Sequence, residues 1–131
     1  MRLECPSCGG LVRPFYREDE WGLKCEECDW RKNLPSRPSE STRLEWFKAY
    51  AREFLRREFD DCGVVKVVVR GPRGPRGSEY VAATVYASDH HSAIGPDGER
   101  VRGVEEELNE LASELRVPPV RITVQPAHLA D

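Results

Sequence analysis

Apolar positions change their period several times along the chain, and each change marks an element. Leu11 to Tyr16 and Trp21 to Lys24 are short apolar and aromatic runs around the polar stretch Arg17-Glu18-Asp19-Glu20, a pattern that predicts a hairpin. NLPSRPSES, residues 33–41, holds two prolines and three serines and predicts a linker. From Thr42, which stands three residues before Glu45 in a capping-box arrangement, Leu44, Phe47, Ala51, Phe54 and Leu55 recur with helical period. That helix is expected to end near Asp61-Cys62-Gly63. Val64 to Arg70 is β-branched and reads as a strand, whereas GPRGPRG, Gly71 to Gly77, is expected to be loop. Tyr80 to Ala87 reads as a second strand, antiparallel to the first.

Asp89 is placed to cap a short helical turn through Ile94, and Gly95-Pro96-Asp97-Gly98 breaks it. Glu99 then opens a helix that carries Val101, Val104, Leu108, Leu111 and Leu115, the clearest amphipathic pattern in the chain. Val117-Pro118-Pro119 stops it. Val120, Ile122 and Val124 alternate with Arg121 and Thr123, which predicts a half-buried strand parallel to the second.

Composition narrows the class. The 131 residues carry a net charge of −3, with 39% hydrophobic and 33% charged positions, enough for one ordinary domain or a small core plus a metal-stapled module. No run is long and apolar enough for a transmembrane helix, and MRLECPSCGG lacks the apolar stretch of a secretory leader, so a cytoplasmic protein without a membrane partner is expected. Five cysteines cannot all pair within the chain, which disfavours a disulfide framework. Mild acidity argues against a protein that coats nucleic acid by bulk charge.

Four of the cysteines form CPSC, Cys5 and Cys8, and CEEC, Cys25 and Cys28, with 16 residues between the pairs. This is the spacing of a structural zinc site, in which two tight turns each aim two thiolates at one ion. Four sulfurs leave no open coordination position, so the expected role is to replace a core that the segment is too small to build. CPSCGG and CEECDW resemble the zinc ribbon family over about residues 1–34.

From residue 42 the expected order is helix, strand, strand, helix, Gly-x-x-Gly, helix, strand. With IGPDGERV, Ile94 to Val101, between the two later helices, this stretch resembles a type II KH domain of the kind found in bacterial ribosomal and transcription-factor modules. The fold class is then α+β: a small β zinc ribbon (1–34), a linker (35–41), an α-β-β-α-α-β KH-like domain with a three-stranded mixed sheet (42–127), and a short tail (128–131).

The resemblance implies that Gly95, Pro96, Asp97 and Gly98 clamp a nucleic-acid backbone, with Ile94 and Val101 shaping the groove beside them. Glycines remove the Cβ atoms that would block such an approach, and a helix start favours an anion. The turn departs from the family's frequent pattern. Pro96 lacks an N–H, and Asp97 repels phosphate, which Arg100 and Arg102 are close enough to offset. Lys66, Arg70, Arg73 and Arg76 form a locally cationic hairpin, since no acidic residue occurs between Asp61 and Glu79, and its spaced arginines are expected to contact nucleic-acid phosphates.

Other features receive plainer readings: His90-His91 as capping or surface residues, Cys62 as a small buried residue, and Glu105, Glu106, Glu107, Glu110 and Glu114 as a solvated helix side. No nucleophile–base pair, P-loop or dinucleotide fingerprint is present. The expected function is therefore non-enzymatic RNA binding, to ribosomal RNA or a nascent transcript. The alternative is a protein-interaction adaptor in a ribonucleoprotein or other assembly, whose KH scaffold has lost RNA binding.

Overall fold

The structure is a computed structural model and describes residues 3–130. It is a mixed α+β chain with two three-stranded sheets. The first sheet contains β1 (Val12–Tyr16), β2 (Trp21–Cys25) and β3 (Arg31–Asn33), all antiparallel. The expected hairpin is thus joined by a third strand. Its three residues are all exposed, so no apolar pattern announced it.

Helix α1 (Glu40–Glu58) starts earlier than expected. Its cap is Ser39, whose side chain accepts the N–H of Thr42 at 3.2 Å, and Glu45 pairs with Lys48 instead of closing a capping box. After α1, a 3-10 turn at Asp60–Cys62 ends on Gly63, whose φ of +70° is left-handed. Strand β4 (Val64–Arg73) runs beyond Arg70, through Gly71 and Pro72, as far as Arg73. A bulge between Arg70↔Ala82 and Arg73↔Tyr80 absorbs the glycine and proline that seemed to forbid a strand. Strand β5 (Tyr80–Ala87) pairs with β4 antiparallel and with β6 (Val120–Pro126) parallel, in the order β4-β5-β6. Between β5 and β6 lie α2 (His90–Ile94) and α3 (Glu99–Leu115).

The elements stack in three layers. Val67, Val69, Val81, Ala83, Val85 and Val120 are buried on one face of the β4-β5-β6 sheet, against the helices. Leu108, Leu111, Ala112 and Leu115 of α3 and Phe47, Ala51 and Leu55 of α1 complete that core, while Leu44 and Val101 stay at its half-buried margin. The cysteine-bearing sheet forms the third layer, with β1 against both α1 and α3. Its Leu11, Val12 and Tyr16 belong to the same continuous hydrophobic cluster as Phe47 and Leu115. The segment between the sheet and α1 therefore does not hold two cores apart. Its length lets the first sheet fold back onto the helices, and α1 buries Trp46, Ala49 and Tyr50 in addition to the predicted stripe. No helix among the described residues is long and apolar enough to cross a membrane.

Candidate metal centre and glycine turn

The four predicted cysteines converge, with all four sulfurs within 4.8 Å of one another. Cys5 Sγ lies 3.6 Å from Cys28 Sγ, and Cys8 Sγ lies 3.4 Å from Cys25 Sγ. An ion at the usual zinc–thiolate distance of about 2.3 Å demands sulfur–sulfur edges of roughly 3.8 Å, so the two close pairs need to open by only a few tenths of an ångström, and no pair starts more than 4.8 Å apart. Each sulfur also accepts a backbone N–H from two residues ahead: Ser7 to Cys5, Gly10 to Cys8, Glu27 to Cys25 and Trp30 to Cys28, at 3.3–3.5 Å. Donors aimed at sulfur stabilise thiolates, the form that binds metal. Gly9 takes the left-handed φ of +76° that lets the first knuckle fold back on Cys5. The cluster can hold a metal ion in a closed, four-sulfur shell.

Proton sharing among the metal-free thiols is uneven. Burial pushes the Cys5 thiol up, but the N–H groups of Cys8 and Ser7 and the neighbouring sulfurs outweigh it and hold Cys5 at about 7. At Cys8 the Gly10 N–H favours the thiolate, yet the Cys25 and Cys28 sulfurs prevail and push it up to about 12. One thiol ionises easily and another resists, as expected where like charges would crowd.

The cluster is anchored to the helices. Glu26, inside the second knuckle, accepts the Tyr50 hydroxyl of α1 at 2.5 Å. Burial, and then this carboxylate, push the Tyr50 phenol well above its ordinary range. Glu114 of α3 accepts the Tyr16 N–H at the end of β1. The Tyr16 ring lies under Arg43 at 4.4 Å, and its hydroxyl accepts from Arg37 at 3.0 Å. These ties escaped the sequence reading, because each partner pair spans distant segments and its residues look like ordinary surface charges.

The second candidate is the Gly95–Gly98 turn. Asp89 caps α2 as expected, its side chain accepting the Ser92 N–H at 3.2 Å. Gly95, Asp97 and Gly98 all adopt left-handed φ, at +77°, +54° and +73°. A Cβ at Gly95 would lie 2.7 Å from the Cβ of Arg100, so only glycine lets the chain pass there. Pro96 and Asp97 are exposed, and Ile94 is half-buried.

The arginines near this turn are engaged internally. Arg100 forks onto the Asp61 carboxylate at 3.1 and 2.7 Å and also donates to Glu58 O, Ser92 O and Cys62 Sγ. The Arg100 hydrogen bond holds the Asp61 carboxyl below its usual range. Arg102 donates to Asp97 O at 3.0 Å. Arg100 thus staples the start of α3 to the end of α1.

Lys66, Arg70 and Arg73 lie on β4, at the opposite edge of the sheet from β6, and Arg76 is exposed in the loop beyond. Lys66 and Arg70 lie on the sheet face turned away from the helices that flank the turn, so the turn and these cations do not share a face. Cys62 is buried, its thiol pushed up by that burial, while the His90 and His91 rings lie 4.1 Å apart at the start of α2. The acidic side of α3 is not wholly solvated, since Glu105 accepts the Ile122 N–H and Glu114 that of Tyr16. Compared with known proteins, the chain matches no family model and no curated protein sequence.

Proposed function

We propose that the chain is a non-enzymatic RNA-binding protein, associated with the ribosome or with transcription, in which a zinc ribbon is docked on a KH-type unit. The observation that carries this reading is the exposed Gly95–Gly98 turn at the start of the 17-residue α3, in a helix-strand-strand-helix-turn-helix-strand order. Zinc suits the four-thiolate shell, and a closed shell gives it a structural role. Since Asp61 engages Arg100, attraction at the turn rests on backbone N–H groups, the helix start and the exposed Arg102, with Asp97 opposing it.

The test is titration of single-stranded RNA against Asp97→Lys, with Glu106→Lys as the control, because Glu106 is exposed on the same helix. Asp97→Lys changes the charge by two units, so at about 1 kcal/mol per charge for a contact at 4 Å in water it is expected to tighten binding about thirtyfold. Equal gains from both variants would sink the clamp. The adaptor reading would then take its place. That second reading is favoured by the pairing of Arg100 with Asp61 and by the exposed Asp97 in the turn.

A further inference from the structure

We propose that the open face of the β4-β5-β6 sheet is a second binding surface, for single-stranded nucleic acid. Its location is independent of the glycine turn, and only the class of ligand rests on the RNA-binding reading above. The strand period puts Val67, Val69, Val81, Ala83 and Val85 against the helices and leaves Lys66, Val68, Arg70, Tyr80, Ala82, Thr84 and Tyr86 pointing away. On β6 the outward positions are Arg121, Thr123 and Gln125. Among the described residues this face holds cations and no carboxylate, in a chain whose net charge is −3. Among the described residues, Lys66, Arg70, Arg73 and Arg121 form no ion pair, while arginines elsewhere pair with Glu20, Glu53 and Asp61.

The face is shaped as well as charged. Lys66, Arg70 and Arg73 border a shallow concavity of about 230 Å³, floored by Val68, Ala82 and Thr84 and closed at one end by Ala130, whose carbonyl accepts from Lys66. From Lys66 to Arg73 the row of cations runs roughly 20 Å along β4, at about 3.3 Å per residue. Tyr86 stands directly across from Lys66, and Tyr80 across from Arg73. The Arg121 guanidinium lies 4.2 Å over the Tyr80 ring, presenting a second flat surface. A row of cations beside aromatic and guanidinium planes suits a chain that offers phosphates along one side and bases along the other. An acidic peptide would satisfy the cations but leave the planes without a partner.

The full chain would be titrated with a fluorescent 12-nucleotide oligouridylate at several salt concentrations, each variant first checked for an unchanged thermal transition. Combined Lys66→Ala, Arg70→Ala and Arg73→Ala is expected to weaken binding at least tenfold at low salt. It should also flatten the log–log salt dependence by about 2, since single strands contribute about 0.7 per phosphate contact. Tyr86→Ala is expected to cost about tenfold with the salt slope kept, and Tyr86→Phe to restore it. Tyr86→Leu keeps the apolar contact and loses the ring, so it stands in should the alanine variant misfold.

Sheet variants that bind within twofold of wild type, while Asp97→Lys changes affinity, would overturn the sheet site and leave the turn standing. Absence of oligouridylate binding by the wild-type chain would overturn both. Equal weakening by Arg56→Ala with Arg57→Ala on α1 would reduce the effect to bulk charge. Binding of polyglutamate that the triple variant abolishes, without oligouridylate binding, would assign the face to an acidic protein partner instead.

Discussion

The two sheets have three strands each and are stabilised in different ways. In the β1-β2-β3 sheet, β3 is entirely exposed and the structure converges on four sulfurs. In the β4-β5-β6 sheet every second residue of β5 is buried against two long helices. A sheet of that first kind has too little apolar surface to offset the entropy of ordering its chain, so a metal or a neighbouring surface must supply the difference. Here the neighbouring surface is present, and the four cysteines could hold the metal. The cysteine cluster ties the knuckles together, and Leu11, Val12 and Tyr16 join the core built by the helices. The lesson is that a small metal module need not be autonomous, because β1 lies in contact with α1 and α3.

The largest expected effect breaks the metal side of this comparison. Cys25→Ser, or removal of metal by a strong chelator, should abolish stoichiometric metal binding and loosen residues 3–34, seen as lost amide protection over β1 to β3. Since the first sheet covers the helices, unfolding of the helix-and-sheet unit should also move to lower temperature. A second unit that melts unchanged would show that the shared core contributes nothing.

The next effect breaks the apolar side. Leu108→Ala and Leu111→Ala should each destabilise the helix-and-sheet unit by about 2–5 kcal/mol in denaturant unfolding, as core truncations do. Glu106→Ala, at an exposed position, should stay within about 0.5 kcal/mol. Leucines as tolerant as Glu106 would mean that the assigned helix face is wrong.

The smallest effect sharpens the link between the two regions. Tyr50→Phe removes the hydroxyl that Glu26 accepts and little else, so it should cost about 1 kcal/mol. The loss should be read as earlier exchange of amides around Cys25 and Cys28, with α3 unmoved. Identical exchange in both proteins would show that the hydrogen bond does not couple the knuckle to α1.

Much of the architecture could be read from local pattern. The four metal-binding candidates follow from spacing alone, because two residues between cysteines is a property of one tight turn. The order of helices and strands after residue 42, the parallel pairing of β5 with β6, and the buried stripe of α3 follow from period and breakers. That Tyr80 and Tyr86 share one face follows from the two-residue period of a strand, while their turning away from the helices came from the packing.

Other features depended on distance through space. Strand β3 exists because β2 offers it an edge, not because Arg31-Lys32-Asn33 favours extended structure. β4 crosses Gly71 and Pro72 because pairing with β5 on either side holds it, with the bulge taking up the misfit. The roles of Arg100, Glu114, Glu26 and Tyr50 could not be assigned from sequence, because a charged residue has the same local pattern whether solvated or bonded to a partner dozens of positions away. Sequence by itself determined the elements, the cysteine cluster and which residues of each strand share a face, because those depend on short-range geometry. Only the tertiary structure decided that the two sheets sandwich the helices, that Arg100 beside the glycine turn is engaged by Asp61, and that, among the described residues, the cations of the outer sheet face are left without carboxylate partners. Those outcomes depend on which surfaces meet once the chain has folded back on itself.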